Sequence, residues 1–140
     1  MIKIISGSKG KGKTKYLIQM ANDAVKTAEG NVVYLDKNNK HMYELSNKIR
    51  LINVGDYHVI DTYDAFLGFV CGLISQDSDL ETLFLDSFLT IANVTGDHVG
   101  YVLAKLHEIS DRFDTDIVLS ISMDADHIPE DFKKDIVISL

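Results

Sequence analysis

Cysteine occurs once in this chain, at Cys71, and proline once, at Pro129. A lone cysteine excludes a disulfide framework and a thiolate zinc cluster, and it suits a reducing compartment such as the cytoplasm. One proline and nine glycines leave no room for a Pro-rich or Gly/Ser linker, so the 140 residues are expected to form a single domain, 1–140. The longest apolar run, residues 65–74, is about ten residues, half of what spans a bilayer. The opening residues Met1-Ile2-Lys3-Ile4-Ile5 lack the basic segment and long apolar core of a signal peptide. A cytoplasmic protein with no membrane span is the expectation. Arginine is scarce, with Arg50 and Arg112 alone. The histidines His41, His58, His98, His107 and His127 show no metal-ligand spacing and read as surface or loop residues. Cys71, inside an apolar stretch, reads as a small core residue.

What is present is globular: 46% apolar and 25% charged residues. The net charge of −7 is unevenly spread. Residues 1–50 carry ten Lys/Arg against four acids, and residues 51–140 carry four against seventeen. The first third suits an anion, whereas the remainder repels a polyanion. A small phosphorylated ligand fits this asymmetry better than a nucleic acid, which is not expected as the main partner.

Short apolar runs alternate with helical periodicities. Ile2–Ser6 reads as a central strand, apolar on both faces and stopped by Gly7. Leu17, Ile18, Ala21, Ala24, Val25 and Ala28 form one helical face, with Gly30 as the stop. Further strands are expected at 31–36, 49–54, 82–85, 116–122 and 135–140. Residues 63–75 read as a helix buried nearly all round. Val99, Val102, Leu103, Leu106, Ile109 and Phe113 mark another helical face, with Glu108 and Arg112 paired outside it. The pattern is that of an α/β protein with a mostly parallel sheet of five or six strands.

One segment carries chemistry outright. Gly7-Ser8-Lys9-Gly10-Lys11-Gly12-Lys13-Thr14 matches G-x-x-x-x-G-K-[ST] in full, the Walker A sequence. At average composition, a chain of this length contains such a match by accident about once in 200. This one also follows an apolar strand and opens an amphipathic helix, as the motif requires. Glycines let the backbone approach a polyphosphate, and successive N–H groups form an anion nest at a helix N-terminus. Gly7, Ser8, Lys9, Gly10, Lys11, Gly12, Lys13 and Thr14 are therefore the expected nucleotide-binding loop. Lys13 is expected to reach the β- and γ-phosphates and to point at solvent when the site is empty. The Thr14 hydroxyl is expected to ligate Mg²⁺. The side chains of Lys9, Lys11 and Lys15 add positive potential and read as solvated.

Such a loop needs a carboxylate at the end of another strand to hold the metal. Thr82-Leu83-Phe84-Leu85-Asp86 has that form and resembles a Walker B segment, which makes Asp86 the metal partner; Asp36, ending Val32-Val33-Tyr34-Leu35, is its rival. Across its length the chain resembles small stand-alone bacterial P-loop ATP-binding proteins with a minimal RecA-like core of the additional-strand class. The resemblance implies a P-loop NTPase-type three-layer sandwich, with ATP and Mg²⁺ as cofactors. It also implies a glutamate base, either after the Walker B acid or near the end of the second strand. Here Ser87 follows Asp86, and Asn38 stands where relatives carry the acid, so Asp36 is the candidate base. Ser122 resembles a sensor of the γ-phosphate. With Lys13, these two complete the candidate catalytic set.

The strand ending at Ser6 is expected between those ending at Asp86 and Ser122. Guanine recognition through N-K-x-D is excluded, because Asn47-Lys48-Ile49-Arg50 lacks the acid. The expected function is Mg²⁺-dependent ATP binding by a slow ATPase or nucleotide-dependent switch that works with a protein partner or a second copy. The alternative, a small nucleotide or nucleoside kinase, is disfavoured by the shortage of arginine.

Overall fold

A computed structural model of the protein describes all 140 residues. Six strands form one sheet: β1 (Ile2–Ser6), β2 (Asn31–Asp36), β3 (Arg50–Asn53), β4 (Leu80–Leu85), β5 (Asp116–Ile121) and β6 (Ile136–Ser139). Their spatial order is β3-β2-β4-β5-β1-β6, and every pairing is parallel. Parallel neighbours need crossovers, and four helices lie in the connections after β1, β3 and β4: α1 (Lys13–Thr27), α2 (Tyr63–Gln76), α3 (Phe88–Ile91) and α4 (Val99–Phe113). No helix is long and apolar enough to cross a membrane.

Strand alternation divides the core into two. One set of strand residues, including Ile4, Leu35, Leu85 and Leu119, packs against α2, α3 and α4. The opposite set, Ile5, Tyr34, Phe84 and Val118, packs against Leu17, Ile18 and Ala21 of α1. The result is a parallel sheet with helices on both faces, and β2, β4, β5 and β1 are buried almost throughout.

Several expectations need correction. The strand ending at Ser6 is not the middle one of the three: β5 lies between β1 and β4. Runs that are apolar on both faces carry no information about which neighbour they pair with. Helix α2 is not buried all round. Phe66, Leu67, Val70 and Ile74 face the core, whereas Gly68, Cys71, Gly72 and Ser75 are exposed. Cys71 is thus a surface thiol rather than a core residue. Gly30 sits past the end of α1 for a different reason than helix stopping. A Cβ there would stand 2.2 Å from the Asp79 carbonyl oxygen, so only glycine admits the neighbouring chain. Glu108 pairs with Lys105 at 3.6 Å, and Arg112 lies over the Phe113 ring instead.

Candidate functional site

The carboxyl ends of β1, β2, β4 and β5 all open on the face covered by the start of α1. In open parallel sheets this edge is where ligands bind. Residues 7–12 leave β1 as a loop, and Lys13 opens α1. Gly10 and Gly12 have φ of +87° and +86°, a left-handed backbone that side-chain-bearing residues adopt at a cost. No atom lies within 4 Å of a Cβ placed on either, so backbone conformation alone selects glycine there.

Period-two alternation sends Tyr34 and Asp36 (β2), Phe84 (β4) and Asp86 just beyond it, and Val118 and Ser120 (β5) to the α1 face. The register does the rest. Leu35 is level with Leu85, and Leu85 with Leu119, so Asp36, Asp86 and Ser120 stand side by side on three adjacent strands. Asp86 is 2% exposed and accepts four hydrogen bonds. The Thr14 hydroxyl donates to Oδ1 at 3.2 Å, the Ser120 hydroxyl at 2.7 Å and the Ser87 N–H at 2.9 Å. The Tyr34 phenol donates to Oδ2 at 2.7 Å. Ser87 is held in a left-handed conformation, φ +53°, and its N–H is also 3.0 Å from Ser120 Oγ.

Lys13 does not point at solvent. It is buried, and its ammonium donates to the Ser8 carbonyl at 3.1 Å. Burial lowers its pKa, and the charge of Asp86 works in the opposite direction. Burial pushes the Tyr34 phenol far up, as does its contact with Asp86, so it remains a donor. Burial, and then the neighbouring Asp86 charge, raise Asp36 above the ordinary aspartate range. Its Oδ1 accepts the Lys37 N–H at 2.7 Å, and its Oδ2 is buried without a partner.

A cavity of about 390 Å³ lies between these groups, within the size range of small-ligand sites. Lys9, Gly10 and Gly12 of the loop line it, followed by Lys13 and Thr14. The strand ends contribute Lys37, Asp86, Ser120 and Ser122, and the chain after β4 contributes Ser87, Leu89 and Thr90. Leu89 is the one apolar member of the wall, which therefore suits a charged ligand.

The structure thus brings Lys13, Thr14, Asp86 and Ser122 to one cavity. Asp36 lies beside Asp86 but is shut off from the wall. Gly7, Ser8 and Lys11 belong to the loop, outside the lining; Ser8 also borders a second, open depression with Lys9, Ser122 and Asp124. Two residues were not anticipated. Ser120, rather than Ser122, contacts the acid, and Tyr34 reaches it from β2. The signal for both was the alternation: each shares its strand face with a residue already singled out.

Thr14 and Asp86 offer one hydroxyl and one carboxylate. That donor set fits Mg²⁺, which keeps most of its waters and binds through few protein oxygens plus substrate phosphates. No cluster of three or more His, Cys, Asp or Glu residues forms a cage for a metal on its own. A scan against protein-family models and a search of curated proteins each give no match to the chain.

Proposed function

We propose that the protein binds a nucleoside triphosphate, ATP first among candidates, together with Mg²⁺, in the manner of a P-loop NTPase, and turns it over slowly. The observation that carries this reading is the 3.2 Å contact between the Thr14 hydroxyl and Asp86, residues 72 positions apart that meet at the mouth of a glycine-rich loop. The insertion of β5 between the loop strand and the acid strand supports the resemblance to the additional-strand class.

In this reading the N–H groups of residues 8–14 face the phosphates, aided by the positive end of α1. Lys13 exchanges the Ser8 carbonyl for phosphate oxygens. Its burial strengthens that contact, since a charge in a desolvated pocket interacts more strongly with an anion. Mg²⁺ would be held at Thr14 and Asp86, and it supplies neutralisation of charge on the transferring phosphate. Ser122, at the end of β5 beside the loop strand, and Lys37, at the end of β2, line the same cavity, where a terminal phosphate would project.

The same geometry favours binding over hydrolysis. Ser87 occupies the position after the metal acid and cannot act as a carboxylate base. Asp36 lies outside the cavity wall, and burial and Asp86 favour its protonated form. No arginine lines the cavity. A partner, or a second copy, that supplies a cation is the expected accelerator.

The test is a titration with ATP and GTP, with and without Mg²⁺, followed by phosphate release with and without nucleoside and nucleotide acceptors. Mg²⁺-enhanced triphosphate binding with slow, acceptor-independent release supports the reading. Rapid transfer to an acceptor makes the protein a kinase, and no binding of either nucleotide removes the reading altogether.

A further inference from the structure

The two oxygens of Asp86 serve different partners. Oδ1 accepts from Thr14, Ser120 and the Ser87 N–H, all three of which border the cavity. Oδ2 accepts one bond, from the Tyr34 phenol at 2.7 Å. Tyr34 is 0% exposed and takes no part in the cavity wall. Its ring stacks on Phe84, its register partner on β4, with centroids 6.2 Å apart and planes 17° from parallel. Leu17, Ile18 and Ala21 of α1 belong to the same packed cluster. Ring and hydroxyl are therefore both immobilised, and the phenol cannot follow a carboxylate that swings outward.

We propose that Tyr34 is the positioning residue of Asp86: it ties Oδ2 to the sheet and so presents Oδ1, beside Thr14, to a divalent cation. The inference rests on the reading of this cavity as a Mg²⁺-nucleotide site and adds to it the group that orients the metal's carboxylate. A hydroxyl donating to a carboxylate forms one of the stronger hydrogen bonds. Of the three side-chain donors, Thr14 is the one that a metal would claim for itself, and it makes the longest bond. Tyr34 stays in place whether or not the metal is bound. Without its hydroxyl, Oδ2 is a buried carboxylate oxygen with no donor. The Asp86 χ2 torsion is soft, so a carboxylate held through Oδ1 alone loses its fixed plane and no longer presents Oδ1 at one angle. Mg²⁺ tolerates little departure from octahedral geometry, so the loss falls on its binding.

The experiment compares the wild type with Tyr34→Phe, in which the stacked ring is kept and only the hydroxyl is removed. ATP affinity is measured by calorimetry in EDTA and again in Mg²⁺, and the ratio is the metal's gain. The expected result is unchanged affinity in EDTA and a metal gain reduced about tenfold, the loss of one hydrogen bond to a charged group. A purely structural role for Tyr34 would lower the melting temperature yet leave the gain intact, and that result overturns the inference. A wild-type protein with no metal gain overturns the site reading and this inference together, so the two failures are distinct. A second measurement does not depend on the variant folding. In wild-type protein labelled at tyrosine Cζ, the Tyr34 resonance, assigned through bonds, is expected to move when Mg²⁺ is added to the ATP complex. A resonance that Mg²⁺ leaves in place contradicts the proposal.

Discussion

Replacing Asp86 by alanine separates the architecture of the site from its chemistry. Four donors lose their acceptor at once. They do not cost the same. Thr14, Ser120 and the Ser87 N–H border the cavity, where water replaces the carboxylate at little expense. Tyr34 is 0% exposed and lies outside the cavity wall, and its hydroxyl has no water to turn to. A buried donor left unsatisfied costs about 1–3 kcal/mol. Relief of Asp36 acts the other way, because the Asp86 charge that disfavours its ionisation disappears. A net loss of about 1–2 kcal/mol is expected. At roughly 3 °C per kcal/mol for a chain of this size, this lowers the melting temperature by about 3–6 °C. Asp86→Asn keeps an acceptor for Ser120 and lets the Tyr34 hydroxyl reverse its role, so it is expected to melt within about 4 °C of wild type. Both variants are expected to lose the Mg²⁺-dependent part of ATP affinity. Calorimetric melting and nucleotide titration of the three proteins check this. If Asp86→Ala melts with the wild type, the hydrogen-bond network does not hold the site together and the reasoning fails.

Asp36 is expected to show the pH signature of a carboxyl whose pKa is raised by folding. The folded chain binds its proton more tightly than the unfolded chain, so stability from this group is present at low pH and lost as pH rises through the folded value. Asp36→Asn carries no such charge, so it is expected to be more stable than wild type at neutral pH, with the advantage shrinking on acidification; melting curves from pH 4 to pH 8 read it, and an advantage that grows as pH falls contradicts the sign. Gly12→Ala places a Cβ at φ +86° with open space around it. Its cost is expected to be about 1–2 kcal/mol from backbone strain alone, measured by denaturant unfolding. Intrinsic ATP turnover is expected to be below ~1 s⁻¹, at the bottom of the common enzymatic range. Turnover by the purified protein at tens per second would mean a base and a cation other than those described.

The meeting of the glycine-rich loop with Asp86 was legible because both signals are local. Eight consecutive residues spell the loop, and an apolar run ending in Asp86 spells the strand end. Strand order was not legible, since Ile2–Ser6 and Asp116–Ile121 are equally apolar on both faces, and pairing depends on contacts made across the whole chain. The choice between Ser120 and Ser122 turns on register, which places Ser120 level with Asp86 and Ser122 beyond it. Register also decides the fate of Asp36. Alongside Asp86 on a buried face, it becomes a coupled carboxyl rather than an exposed base. Tyr34 looks like any strand aromatic until β2 is laid beside β4. The burial of Lys13 depends on the Ser8 carbonyl turning inward, a backbone detail that the motif does not encode. Helix α2 did carry a readable clue. Gly68, Cys71, Gly72 and Ser75 recur at helical spacing, a face of small residues that turned out to be the exposed one.

The most direct measurement is an ATP titration of wild type and Lys13→Ala side by side, in Mg²⁺, by calorimetry. Lys13 is buried at the loop, next to the charge of Asp86 and with one carbonyl as its hydrogen-bond partner. The wild type is expected to bind one ATP saturably. Lys13→Ala is expected to bind it more weakly by roughly 2–4 kcal/mol, about 30- to 1,000-fold, for loss of a charged contact with a desolvated phosphate. Equal affinities, or no binding by a wild-type protein that melts cooperatively, would show that the loop is not a triphosphate site.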